Sequence, residues 1–384
     1  MTHNRAYTGA DIFTGSQTLK DHALLVQDDK IIATVPAGEV PEDYEKVQLD
    51  GDLLAPGFID LQVNGGGGVQ LNDQPTLEGL QTICKSLIPF GTTAILPTLI
   101  TDNKQVNAQL RDAARAAIAA KTPGFLGLHL EGPHLSVEKR GCHSADLVRP
   151  MDTEDLEALV ALKKDLPVLL VTLAPENEPD ANITALRDAG VFVCLGHTNA
   201  KFERAQAALA AGATGFTHLF NAMSPMSHRE PGVVGAALSS KEAWAGLICD
   251  GYHAHPEMMK IALRAKQGPG KIFLVTDAMA PMGTELQSFV LNGETITRSG
   301  GRLTTPDGTL AGADLDFISA VRNAITMLGV DKEEALRMAA LYPAQAAGVA
   351  DKMGQFTPGT QANMVLLSRD LDVNAVWIDG KQQY

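Results

Sequence analysis

The 384-residue chain is poor in aromatic residues, which make up 5% of it, and in cysteine. Its four cysteines, Cys84, Cys142, Cys194 and Cys249, lie far apart and form no CxxC pair. This spacing excludes a small disulfide-bonded scaffold and favours free thiols in a reducing cytoplasm. No apolar run approaches the ~20 residues of a bilayer span, and residues 1–15 lack the apolar core of a secretory signal. We therefore expect a cytoplasmic protein with no membrane partner.

Positive charge is also scarce. The chain has 31 Lys and Arg against 45 Asp and Glu, which gives a formal net charge of −14. Because such a chain has no long-range attraction for polyphosphate, we expect no nucleic-acid partner. An anionic metabolite could still bind through a local cluster of Arg, His or backbone N–H groups. The apolar fraction of 45% is ordinary for a globular protein, and the length allows a barrel of roughly 250 residues plus a smaller module.

The centre of the chain alternates strand-like apolar runs with segments of helical pattern, which is typical of βαβ units. Eight such runs predict an α/β fold, a (β/α)₈ TIM-like barrel. A doubly wound open sheet is the competing architecture, because periodicity alone does not separate the two. The runs are Phe58–Val63, Thr93–Thr98, Phe125–Leu130, Val168–Leu173, Val191–Leu195, Gly215–Leu219, Trp244–Cys249 and Ile272–Thr276.

Strand-like segments at both ends of the chain predict a second, discontinuous unit. We expect a small β-sandwich domain made of residues 1–55 and 350–384, which brackets a barrel domain of residues 56–349. Three turn dipeptides between residues 286 and 312 predict a β-hairpin insertion in the last βα loop. Such a hairpin either contributes to the active face or only packs against the barrel.

Ionisable residues follow several of the predicted strands. Glu131, His197, His218 and Asp277 each stand at a strand end, and each alone has an ordinary explanation as a satisfied polar, capping or turn residue. The carboxyl ends of barrel strands converge, however, so these four side chains are expected to meet. One carboxylate and two imidazoles suit a divalent metal with an open position for water, and Asp277 then remains free to take a proton. Zn²⁺ is the first choice for this single metal, although Fe²⁺ or Co²⁺ suits the same ligands.

The chain resembles the N-acetylglucosamine-6-phosphate deacetylases of the amidohydrolase superfamily over nearly its whole length. The motifs that carry the resemblance are long and particular. They are Pro56-Gly57-Phe58-Ile59-Asp60, His129-Leu130-Glu131-Gly132-Pro133, Gly141-Cys142-His143, Gly196-His197-Thr198, Thr217-His218-Leu219-Phe220-Asn221-Ala222-Met223, Arg229-Glu230-Pro231-Gly232, Asp250-Gly251-Tyr252-His253 and Thr276-Asp277-Ala278.

One departure from the superfamily pattern bears on the number of metals. Most amidohydrolases carry His-x-His after the first strand, and this histidine pair helps to hold a second metal. Here the matching residues are Gln62-Val63-Asn64, and Gln62 cannot supply an imidazole. The departure favours one metal held by Glu131, His197 and His218, with a two-metal site as the alternative.

The resemblance implies hydrolysis of the acetamide of N-acetylglucosamine 6-phosphate to glucosamine 6-phosphate and acetate. It implies that Asp277 is the base and then the acid, and that His143 polarises the amide carbonyl. It assigns the phosphate to the backbone N–H groups of Asn221 and Ala222 together with Arg229 and His253. It also implies a homodimer, in which Arg229 and His253 can be donated across the interface.

Two alternatives stay open at this point. The chain could be another amidohydrolase that acts on an unphosphorylated or cyclic amide, although Arg229 and the Asn221-Ala222 pair argue against that. It could also be a non-catalytic amidohydrolase-like scaffold. Such scaffolds usually lose a metal ligand or the catalytic aspartate, and both are retained here.

Overall fold

The computed structural model describes residues 3–384, and its centre is an eight-stranded parallel sheet in which strands that follow one another along the chain are paired. The strands are β1 (Phe58–Val63), β2 (Thr92–Ile100), β3 (Gly127–Glu131), β4 (Val168–Leu173), β5 (Phe192–Leu195), β6 (Gly215–Phe216), β7 (Trp244–Ile248) and β8 (Ile272–Val275). Nearly all of their residues are buried, as expected for a parallel sheet covered by helices.

The sheet closes on itself where the last strand meets the first. The N–H of Asp277 donates to the carbonyl of Gln62 at 2.9 Å, and the N–H of Asn64 donates to the carbonyl of Ala278 at 2.8 Å. Both bonds lie at the carboxyl ends of β1 and β8. The predicted (β/α)₈ barrel is therefore confirmed, and the open doubly wound sheet is wrong.

Helices surround the barrel, and several begin at a side-chain cap. Asn103, Asp152 and Asp316 each accept a hydrogen bond from a backbone N–H of the first helical turn. None of the helices in residues 3–384 combines the length and the apolar character that a bilayer crossing needs. The helices are α1 (Leu77–Leu87), α2 (Lys104–Ala119), α3 (Thr153–Asp165), α4 (Asp180–Asp188), α5 (Phe202–Ala211), α6 (Gly232–Ser239), α7 (Pro256–Ala265), α8 (Phe317–Thr326), α9 (Lys332–Leu336) and α10 (Tyr342–Ala346), with a π-helical turn at Arg337–Leu341.

The barrel core includes an aromatic pair that joins β1 to α8. Phe58 and Phe317 are both buried, and their rings stack with centroids 5.4 Å apart. We expect Phe317→Ala to lower the free energy of unfolding by about 3–5 kcal/mol, because it removes buried apolar surface and leaves a cavity. Urea denaturation measures the change, and Val290→Ala, at a side chain that is 56% exposed, is the control. A loss of under about 1 kcal/mol for Phe317→Ala would contradict this packing.

Strands from both ends of the chain form two further sheets. A six-stranded sheet has the order Lys381–Gln382, Val373–Ile378, Met364–Leu367, Leu53–Pro56, Asp11–Phe13, Thr18–Leu19. A four-stranded sheet has the order Lys30–Pro36, His22–Gln27, Asn4–Thr8, Glu45–Gln48. The Tyr7 and Trp377 rings meet edge to face between them, in an apolar cluster separate from that of the barrel. The domain boundaries at 55/56 and 349/350 stay a prediction, and the strand Leu53–Pro56 crosses the first of them.

The insertion after β8 has more strands than the single β-hairpin that the sequence suggests. Four antiparallel strands follow one another there: Ser288–Leu291, Glu294–Ser299, Arg302–Thr304 and Leu310–Ala313. Each turn dipeptide joins one pair of strands, so three turns produce four strands. At the first turn both Asn292 and Gly293 have positive φ, as a tight hairpin turn requires.

Candidate active site and metal centre

A pocket of about 340 Å³ opens at the carboxyl ends of the barrel strands. Residues of the insertion also line it, so the insertion does more than pack against the barrel. Of the nine residues that the sequence singles out, only Arg229 does not line the pocket. The eight that do are Glu131, His143, His197, His218, Asn221, Ala222, His253 and Asp277.

Three electron-rich atoms converge at the base of this pocket. Glu131 Oε1 lies 3.2 Å from His197 Nε2 and 3.0 Å from His218 Nε2, and the two ring nitrogens are 3.0 Å apart. In a tetrahedral zinc site, the ligand atoms lie about 2.0–2.1 Å from the metal and therefore about 3.3 Å from one another. The three atoms therefore fit one small divalent cation.

The hydrogen bonding of His197 suits a metal ligand. Its Nδ1 lies 2.8 Å from the carbonyl oxygen of Lys139, so Nδ1 carries the proton and donates it. The lone pair of Nε2 then points towards Glu131 and His218. A backbone carbonyl that fixes the imidazole in this way is a common support for a metal-binding histidine.

His143 offers an alternative third ligand, because one ligand atom from each of Glu131, His143 and His197 lies within 4.8 Å of the others. The Thr101 N–H donates to His143 Nδ1 at 3.3 Å, and the Thr101 hydroxyl lies 2.9 Å from the same nitrogen. Burial, followed by the neighbouring His197, holds the pKa of His143 well below its usual value, so the ring is neutral. The proton is therefore on Nε2, which makes this nitrogen a donor rather than a metal ligand.

Asp277 faces the cluster from the end of β8, held by two side-chain amides. Gln62 Nε2 donates to Asp277 Oδ1 at 3.2 Å and to both Glu131 oxygens at 3.2 Å. Asn64 Nδ2 donates to the same Asp277 oxygen at 2.5 Å. Burial, followed by the charge of Glu131, raises the pKa of Asp277 to about 6. That value suits a group that must take and return a proton near neutral pH.

Several site residues adopt a backbone conformation that L-residues rarely use. His197, His218, Ala222 and Asp277 have φ values of 46°, 29°, 50° and 55°. Left-handed conformations of non-glycine residues cost about 1–3 kcal/mol each and cluster at functional sites. The strain arises where the chain leaves the barrel strands, and it is at these positions that side chains reach the pocket.

The residues expected at the phosphate are only partly brought together. The Ala222 N–H has no acceptor among residues 3–384, whereas the Asn221 N–H already donates to the His218 carbonyl at 3.0 Å. His253 Nδ1 lies 2.6 Å from Asp250 Oδ2 within the same chain. Arg229 is exposed on the loop before α6 and has no acidic partner within the described chain.

Sequence reasoning missed four supporting residues. It treated Gln62 only as a lost histidine and gave Asn64 no role, although both amides bind the Asp277 carboxylate. Their position at the carboxyl end of β1, Gln62 within its last two residues and Asn64 directly after it, was the signal available. Thr101 orients His143, and the Lys139 carbonyl orients His197. Neither could be recognised from the sequence, because threonines are common and every residue has a backbone carbonyl.

A closed (β/α)₈ barrel with an acid–histidine cluster at its carboxyl end is typical of metal-dependent hydrolases. Comparison with known proteins agrees, because residues 53–382 match the amidohydrolase family and residues 6–54 match the NagA composite domain. The chain belongs to the amidohydrolase family, and within it to the amino-sugar-phosphate deacetylases, which hydrolyse an amide C–N bond.

Curated relatives and solved structures match almost the whole chain. The N-acetylgalactosamine-6-phosphate deacetylase of Shewanella sp. (strain ANA-3) is 43% identical, over 98% of this chain and 95% of its own. The N-acetylglucosamine-6-phosphate deacetylase of Haemophilus influenzae is 37% identical, over 96% and 97%. The crystal structure of the N-acetylglucosamine-6-phosphate deacetylase from Pasteurella multocida superimposes with a TM-score of 0.94 at 37% identity, covering 100% of this chain and 99% of that one.

Proposed function

We propose that the chain hydrolyses N-acetylglucosamine 6-phosphate to glucosamine 6-phosphate and acetate. The observation that carries the proposal is the convergence of Glu131, His197 and His218 within 3.2 Å of one another, in the same pocket as Asp277. N-acetylgalactosamine 6-phosphate is a second candidate substrate, because the Shewanella relative named for it is more similar to this chain than the Haemophilus relative.

Glu131, His197 and His218 are the residues that would hold one divalent cation, with Zn²⁺ as the first choice. The chemistry that such a cation supplies is a water of lowered pKa and a polarised carbonyl oxygen. Gln62 supports a single-cation site, because its amide nitrogen lies between the carboxylates of Glu131 and Asp277, 3.2 Å from each.

Asp277 carries the proton through the reaction. Its carboxylate takes a proton from the attacking water as the water oxygen bonds to the carbonyl carbon of the acetamide. The carbon–nitrogen bond then breaks, and Asp277 returns the proton to the departing nitrogen. One water is consumed: its OH stays on the acetyl group, its hydrogen goes to the amine, and the acetic acid ionises in solution.

His143 serves as the donor for the oxygen that becomes negative in this step. Its Nε2–H is free to point into the pocket, because Thr101 holds Nδ1. Its neutral ring adds no fixed positive charge that would repel a neighbouring cation. Removing one donor of this kind typically costs about 2.7–4 kcal/mol of barrier.

Arg229 would bind the phosphate together with His253 and the Ala222 N–H. Because His253 already lines the pocket of its own chain, only Arg229 would need to come from a second copy. Apolar side chains are exposed in the Arg229 loop and on the following βα unit, with Met226 49%, Tyr252 50% and Ile261 44% exposed. Exposed apolar side chains of this kind suit a homodimer interface.

We expect Arg229→Ala to raise KM for the phosphorylated substrate by about 10–100-fold and to change kcat little, since a charge-assisted hydrogen bond contributes about 1.5–3 kcal/mol. Steady-state kinetics on the phosphorylated substrate give both constants. Arg369→Ala, at another exposed arginine, is the matched control and should leave KM unchanged. An unchanged KM in Arg229→Ala would remove this residue from the phosphate site.

The proposed function is tested by comparing kcat/KM for four substrates: both N-acetylhexosamine 6-phosphates, unphosphorylated N-acetylglucosamine, and a cyclic amide. We expect the glucosamine derivative to be turned over fastest and the unphosphorylated sugar to be turned over poorly. Preference for an unphosphorylated or cyclic amide would overturn the proposal, and no turnover by metal-loaded protein would favour a non-catalytic scaffold.

We place the enzyme in the cytoplasm, because its four cysteines are free thiols.

A further inference from the structure

Asn64 has one side-chain atom without a partner. The residue is 1% exposed and lines the pocket, and its Nδ2 donates to Asp277 Oδ1 at 2.5 Å. Its Oδ1 is buried and has no hydrogen-bond donor among residues 3–384. Native proteins rarely leave a buried acceptor unpaired, so an orphan that lines a substrate pocket points to a donor on the ligand.

The orientation of the Asn64 amide follows from its contact with Asp277. If the amide were reversed, two oxygen atoms without a hydrogen between them would face each other at 2.5 Å. The nitrogen must therefore face Asp277, and the oxygen is the atom left free. No side chain or backbone N–H of the described chain donates to this oxygen, and the residue lines the pocket, so a ligand bound there is in a position to supply the donor.

We propose that Asn64 Oδ1 accepts a hydrogen bond from the acetamide N–H of the substrate and thereby places the leaving nitrogen beside Asp277. The inference rests on the proposed function and adds a substrate-binding residue to it. Asn64 Nδ2, which donates to Asp277, and Asn64 Oδ1, which would accept from the substrate, are both bonded to Cγ of the same side chain. Asn64 therefore fixes the distance between the Asp277 carboxylate and the acetamide nitrogen.

This arrangement also orients the nitrogen. The nitrogen of a secondary amide has one hydrogen, and its lone pair becomes available as the carbonyl carbon turns tetrahedral. With that hydrogen directed at Asn64, the lone pair is free to receive the proton that Asp277 returns. An unoriented nitrogen would reach this geometry only part of the time, so the breaking of the carbon–nitrogen bond would slow.

The test is a cycle of two variants and two substrates. The substrates are the acetamide and the matched acetate ester, in which oxygen replaces the nitrogen and no N–H exists. We expect Asn64→Ala to lower kcat/KM at least 10-fold more for the amide than for the ester. The control is Gln62→Ala, which removes another donor to Asp277 but no free acceptor, and we expect it to affect both substrates equally within about threefold.

The amide-to-ester ratio measured on one preparation does not depend on how much of that preparation is folded or metal-loaded. Asn64→Ser gives a second measurement if the alanine variant is recovered poorly. Equal losses on amide and ester in the Asn64 variants would overturn this inference while leaving the proposed function standing. Failure of the unmodified enzyme to hydrolyse the amide would overturn the proposed function, and this inference with it.

Discussion

Asp277→Asn is expected to lower kcat for amide hydrolysis by about 10³–10⁴-fold and to leave the metal content unchanged. General acid–base catalysis contributes about 10²–10⁴-fold, and this one group serves twice, as base and then as acid. An amide of the same shape still accepts the hydrogen bonds from Gln62 and Asn64, but it cannot take a proton from water. The geometry should therefore persist while proton transfer is lost.

Steady-state kinetics and elemental analysis of the same preparation check this expectation. Asp188→Asn is the matched control, because this aspartate lies exposed at the end of α4 and its only ion pair within residues 3–384 is with Arg187. It should retain full activity. Near-normal kcat in Asp277→Asn would mean that another group moves the proton, whereas a loss of metal would mean that Asp277 is itself a ligand.

Glu131→Gln is expected to reduce bound metal from one equivalent per chain to nearly none and to lower kcat/KM by more than about 100-fold. The substitution keeps the shape of the side chain but removes the only negative charge among the three proposed ligands. Even residues that merely support a ligand typically change metal affinity or activity by 10–100-fold when altered, so a ligand should have a larger effect.

Metal content after exhaustive dialysis and activity with added Zn²⁺ measure the two parts of this prediction. Glu203→Gln is the control, because Glu203 is exposed on α5 and forms no ion pair with a basic residue within the described chain. Its metal content should equal that of the unmodified protein. Full metal retention in Glu131→Gln would show that the cation lies elsewhere in the pocket.

The barrel was predictable because each of its strands is a short apolar run between turn or helix signals. The boundaries were less predictable where function interrupts the strand. The run Gly215–Leu219 predicts a strand of five residues, but the regular strand is only Gly215–Phe216. His218 then adopts a left-handed conformation, which ends the regular strand geometry, although the Leu219 N–H still donates to the carbonyl of Gly246 on β7 at 2.7 Å.

The convergence of Glu131, His197 and His218 was predictable for a different reason. Barrel topology brings all strand ends to one face, so three residues that are distant in sequence can be assigned to one site. The protonation pattern was not predictable, because it depends on the Lys139 carbonyl and on Thr101. These partners distinguish the proposed ligand, His197, from the proposed donor, His143, and neither contact is local in sequence.

The role of Arg229 in the phosphate site could be predicted only in part from the sequence. Its motif assigns it to the phosphate, but in a single chain it is exposed and away from the pocket. The proposal that Arg229 completes the site therefore requires a second copy, and a motif contains no information on the geometry of an interface.

Anomalous scattering from a crystal of the metal-loaded enzyme tests the central claim most directly. The account predicts one peak per chain, about 2.0–2.2 Å from an oxygen of Glu131 and from the Nε2 atoms of His197 and His218. A peak bound by His143 in place of His218, or a second peak beside Gln62, would contradict it.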